Sequence, residues 1–90
     1  MNAEGWQAVL AIVSIAVAGL TTAVGAIGAA MSESRIGAAS MDALAREPDE
    51  AASITRNLFV SLAMVESTAI FCLVIALILL FANPFIKGAV

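Results

Sequence analysis

The chain has 90 residues, of which 62% are hydrophobic and 12% charged, with a mean hydropathy of +1.05. A soluble domain this short has too little interior to hide that much apolar surface, so lipid is the solvent this composition calls for. A net charge of −3 without a basic patch excludes nucleic acid as a partner, and a single cysteine, Cys72, excludes an internal disulfide.

The N-terminal stretch carries Glu4 and no lysine or arginine, a pattern that does not fit a cleaved signal peptide. Residues 8–31 then run without a charge. At a rise of ~1.5 Å per residue such a segment makes about 36 Å of helix, enough to cross ~30 Å of hydrocarbon. Helix-forming residues at 40–46 carry this first helix beyond the membrane. Pro48, among Arg46, Glu47, Asp49 and Glu50, ends it and opens a tight reversal. Residues 58–81 form a second span of the same length, interrupted only by Glu66, and Pro84 stops it at the far end. The expected fold is an all-α membrane protein, a two-helix hairpin without room for a second domain. Helix 1 covers 8–44, the loop 45–52 and helix 2 53–83.

Arg35, Arg46 and Arg56 lie in or near the loop, against Lys87 alone at the termini. The positive-inside rule therefore puts the loop in the cytoplasm and both ends outside. Trp6, Phe81 and Phe85 fit an aromatic belt on that outer side. The two spans differ in texture. In 8–31 twelve residues are Ala, Gly or Ser, whereas 58–81 has five. Small side chains let helix backbones approach closely, so helix 1 is expected to pack against many neighbours and helix 2 to face lipid. One partner helix cannot use all that small-residue surface, which points to a homo-oligomeric, double-layered ring with helix 1 inside.

Glu66 is the chemical centre of the sequence, because an ionisable group at mid-membrane costs several kcal/mol unless it is paired or used. Counted from Pro48, Glu33 lies 15 residues back and Glu66 lies 18 forward, so an antiparallel hairpin brings both carboxyls to similar depth. Two carboxyls in a low-dielectric site do not both ionise cheaply, so one keeps a proton and hydrogen-bonds the other. Arg35 complicates this. It sits about 200° around the helix from Glu33 and either snorkels toward the cytoplasm or pairs with Glu33, leaving Glu66 alone.

The run Val65-Glu66-Ser67-Thr68, the stretch from Leu73 to Phe85 and the loop Ala45-Arg46-Glu47-Pro48 resemble the c subunit of rotary F-type ATP synthases, over about Val13 to Phe85. The resemblance implies a rotor-ring subunit that carries ions on a mid-membrane carboxylate and has no enzyme activity of its own. It implies a bacterial inner-membrane location, a stator partner, and a central stalk contacted by Arg46, Glu47 and Pro48. It also assigns the ion site to Glu66, Glu33, the Ser67 hydroxyl, the Met64 carbonyl and Thr68. The family's alternating-glycine run appears here as Ala26, Gly28, Ala30, Ser32 and Ser34, expected to pack the ring and, being bulkier, to widen it. Glu33 stands where sodium rings carry Gln, which resembles the two-carboxylate, N-type variant. Phe71 replaces a tyrosine common in sodium rings.

No cofactor pattern is present; the cargo is H+ or Na+. Glu33, Glu66 and Ser67 offer oxygens enough for sodium, whereas Phe71 removes a hydroxyl and favours a neutral carboxylic acid. The balance tips to H+. An oligomerising structural or holin-like hairpin is the rival from another class, and it tolerates Glu66→Gln.

Overall fold

The computed structural model describes residues 2–86, so Lys87 of the charge argument lies outside the described residues. Two antiparallel helices, α1 (Ala3–Arg46) and α2 (Ala51–Phe81), are joined through Glu47 and a single 3-10 turn at Pro48–Glu50. Together they make a rod with extents of 68 × 18 × 9 Å. That length is what a 44-residue helix dictates at ~1.5 Å per residue.

Both helices reach nearer to the loop than the sequence suggests, and capping explains the ends. Asn2 accepts a hydrogen bond from the Gly5 amide at 2.8 Å, so α1 starts at Ala3, ahead of residue 8. At the loop Glu47 leaves the helical region (φ −130°, ψ 66°), as a residue preceding proline must. Its amide still donates to the Ala43 carbonyl at 2.8 Å. Arg46 therefore stays in α1, held by Asp42 one turn back at 3.2 Å. Such an exposed pair contributes only about 0.3–0.5 kcal/mol. At the other end Asn83 accepts from the Phe85 amide at 2.9 Å, a side-chain turn that closes α2 at Phe81 just before Pro84.

Each helix is long and apolar enough to cross a membrane, with mean hydropathies of 2.2 and 2.5 over the most apolar stretch and only 6% of those residues buried. A core helix of a soluble protein would be mostly covered. Here Ile12, Leu20, Ile27, Phe59, Met64 and Phe71 all stand exposed on the lone hairpin. Trp6, Phe81 and Phe85 are exposed too, at the end where α1 begins and α2 stops.

The contact between helices follows one stripe on each. On α1 the covered positions include 7, 11, 14, 18, 22, 25, 29, 33, 36, 40 and 43; on α2 they include 54, 58, 61, 65, 69, 72, 76 and 79. The α1 steps average 3.6 residues, the pitch of a straight α-helix. Two contacts fix the register. The Asn83 amide donates to the Ser14 hydroxyl at 2.7 Å, and Gly25 meets Cys72 eleven residues further along both helices. An interhelical hydrogen bond of this kind averages about 0.6 kcal/mol in a membrane.

Gly25 is where the backbones come closest. A Cβ built there lies 2.8 Å from both Cβ and Sγ of Cys72, nearer than real Cβ atoms come. Gly25→Ala is expected to destabilise the hairpin by about 1–3 kcal/mol through overpacking. Thermal unfolding in detergent checks this. Cys72→Gly in the same chain should recover most of the loss, and Cys72→Ala only part, since its Cβ remains in the way.

Candidate functional site

Carried eight residues on from Gly25 and Cys72, the same register sets Glu33 opposite Met64, with Glu66 one half-turn further along α2. The two carboxyls accordingly meet across the helix pair. Glu33 belongs to the covered stripe of α1, whereas Glu66 stands beside the stripe of α2 and is exposed on the hairpin's flank. One oxygen of Glu33, Oε1, is buried and takes no hydrogen bond. A carboxyl oxygen withdrawn from solvent without a partner is unfavourable, so this site is incomplete in a single chain.

Positions two apart on a helix point about 200° from each other, and that rule divides the remaining candidates. Glu66 lines a groove with Thr22, Ala26, Ala69, Ile70 and Leu73 on one flank. Thr68 lines a groove with Val24, Gly28, Ser32 and Val65 on the opposite flank. Met64, a full turn before Thr68, shares that second flank, and its carbonyl receives the Thr68 hydroxyl at 3.5 Å. Ser67 lies between the flanks on the outer face, with Ile70, Phe71 and Val74. Its hydroxyl donates to the Ala63 carbonyl at 2.9 Å, leaving its lone pairs directed away from the helix. One chain thus brings Glu33 and Glu66 together and holds Met64 and Thr68 apart from them.

The small residues of α1 divide in the same way. Ala26, Ala30 and Ser34 fall on the Glu66 flank, and Gly28 and Ser32 on the Thr68 flank; all five are exposed. A Cβ built at Gly28 meets nothing within 4 Å, so the hairpin itself has no use for that glycine. Small residues on two opposite flanks suit a head-to-tail contact, in which one flank of each copy receives the other flank of the next. Contacts of that type close into a ring where the rotation between copies closes, and run on as an open filament where it does not. At the loop Arg46, Glu47 and Pro48 are all exposed at the tip of the rod.

Two features of the site region escape a reading of the sequence alone. Thr22 shares the Glu66 groove, and its hydroxyl donates to the Ala18 carbonyl at 2.9 Å. Asn83, only 4% exposed, ties α2 to Ser14. The Asn-Pro dipeptide signals the turn at Asn83, but the partner across the gap depends on register.

Comparison with known proteins agrees with the helical hairpin. The family model for the ATP synthase c subunit matches residues 16–79. An ATP synthase c subunit of Cereibacter sphaeroides, the second of that name, is 54% identical over 82% of this chain and 89% of its own length. The ATP synthase c subunit of Petrotoga mobilis is 45% identical over 74% of this chain and 70% of its own. The chloroplastic c subunit of Cyanidium caldarium is 42% identical over 88% and 96%. With two membrane-length helices, a mid-span carboxyl pair and a match that runs through both helices, the chain belongs to the ATP synthase c-subunit family, whose non-catalytic members form the rotor ring of ion-coupled ATP synthesis.

Proposed function

We propose that this subunit carries protons on Glu66, in a ring whose ion sites are each completed by two copies of the chain. The observation that carries the reading is the division of the site. Glu66 occupies one flank, with Glu33 beside it at the edge of the covered stripe, and Met64 and Thr68 occupy the other, so a head-to-tail ring assembles them at every interface, with Ser67 at the outer rim. Glu33 accepts a hydrogen bond from the protonated Glu66, which makes this the two-carboxylate, N-type form of the rotor. α1 forms the inner layer and α2 the outer.

The mechanism follows from the cost of charge in lipid. An ionised carboxylate facing hydrocarbon is prohibitively expensive, so Glu66 crosses the lipid face only when neutral. Against the stator subunit it meets a water-filled path and releases or takes up its proton. Loading from one side and unloading to the other makes rotation directional. The loop tip, with Arg46, Glu47 and Pro48, sits on the cytoplasmic side of a bacterial inner membrane and passes rotation to the central stalk, while both termini face outward.

A proton needs no coordination shell, and the rim beside Ser67 is apolar, with Ile70, Phe71 and Val74 supplying no further oxygen. Both points favour H+ over Na+. Carbodiimide labelling of the purified ring across pH, with and without sodium, tests the choice. Glu66 is expected to label most strongly at acidic pH, with little protection by Na+. Strong Na+ protection overturns the proton reading in favour of sodium, leaving the rotor role intact.

A further inference from the structure

We propose that Arg35 of one copy forms an ion pair with Glu33 of the next, so that each two-carboxylate site takes its counter-charge from its neighbour. The inference rests on the ring reading above and adds an inter-subunit partner to it. Arg35 is exposed and makes no hydrogen bond or ion pair among the described residues. It lies only two residues beyond Glu33, at a depth where an unpaired guanidinium is costly. Glu33, for its part, has a buried oxygen without a partner. Both deficits are left by the lone hairpin, and their charges are opposite.

Helix geometry places them on opposite sides of α1. Glu33 follows Ala26 by seven residues, which sets it at the Ala26 edge of the covered stripe; Arg35 follows Gly28 by seven and shares the opposite flank. Within one chain the two side chains therefore point about 200° apart and do not pair. Between copies they face each other. Cyclic symmetry holds every copy at one depth, so Arg35 of one copy sits midway between Glu33 and Gly37 of the next, about 3 Å along the axis from each. A Cβ built at Gly37 meets nothing within 4 Å, so that position offers clear space for a long side chain. Packed helices lie about 8–10 Å apart, a gap that an extended arginine spans. With Arg35 balancing its charge, Glu33 accepts the hydrogen bond of the protonated Glu66, and two acids at one depth carry a single mobile proton.

Disulfide trapping in the full-length ring tests the pairing. In a Cys72→Ala background, Glu33→Cys together with Arg35→Cys is expected to give a ladder of cross-linked oligomers on oxidation, since each copy links to the next and no link within a chain is possible. Cross-linked species no larger than those of the Cys72→Ala parent overturn the proposal. A second series guards against misfolding. Arg35→Met and Glu33→Gln are each expected to lose the intact ring on denaturing gels, the double variant to lose no more than either, and Arg35→Lys to keep it. Additive losses, or intact Arg35→Met rings, overturn the pairing. If the unmodified chain itself forms no ring by native mass spectrometry, the ring reading fails first; a native ring without the ladder removes the pairing alone.

Discussion

Rings built from Glu66→Gln chains are expected to assemble with normal mass and to lose ion-coupled ATP synthesis down to background. Glutamine fills the same volume on the exposed flank beside Ala69 and Ile70, and its neutral amide faces lipid at no charge cost. What it lacks is a proton to bind and release, so the rotor passes the stator without loading. Proton pumping driven by ATP in inverted vesicles, measured beside the native mass of the ring, separates failed transport from failed assembly. A variant with half the parental rate would mean that Glu33 or another group carries ions, and a merely structural hairpin would leave function unaffected.

The second large effect concerns assembly. Gly28→Leu is expected to abolish the intact ring while leaving each hairpin folded. Gly25 and Gly28, one turn apart on α1, differ in what lies above them. A Cβ at Gly25 strikes Cys72 within the chain, whereas one at Gly28 meets open space. Leucine at Gly28 therefore costs the hairpin little, but it pushes every neighbouring copy outward, by about 1–3 kcal/mol of overpacking at each interface. Because the interface repeats around the circle, the penalty repeats with it. Circular dichroism should show helix content unchanged, with native mass spectrometry showing monomers and short arcs. Intact rings from this variant would place the copy-to-copy contact elsewhere on α1.

Much of this architecture is legible without coordinates, because the hairpin and the common depth of Glu33 and Glu66 follow from counting residues at a fixed rise. The helix ends are less so. The cap at Asn2 and the short reversal at Glu47 depend on single backbone geometries; the first starts α1 ahead of residue 8, and the second lengthens both helices into residues expected to be loop. Contacts that need register are not legible at all. Nothing in the sequence says that Ser14 faces Asn83 or that Gly25 faces Cys72, since a slip of one turn keeps every apolar residue in lipid or in contact. The flanks are an intermediate case. The i, i+2 spacing of Glu66 and Thr68 already implies opposite directions, yet an array of oxygens such as Glu66, Ser67 and Thr68 reads as one site until the helix pair assigns each to a side.

The straightness of the paired stripes has a mechanical consequence. Helices that wind around each other store load by winding further, as a cable does. Contacts that recur at the helix's own pitch leave α1 and α2 with little coil to tighten, so the rod behaves as a strut. From Glu66 to Pro48 is 18 residues, about 27 Å along the axis. A sideways push applied at the depth of Glu66 would thus reach the loop tip with little lost to twisting between the two helices.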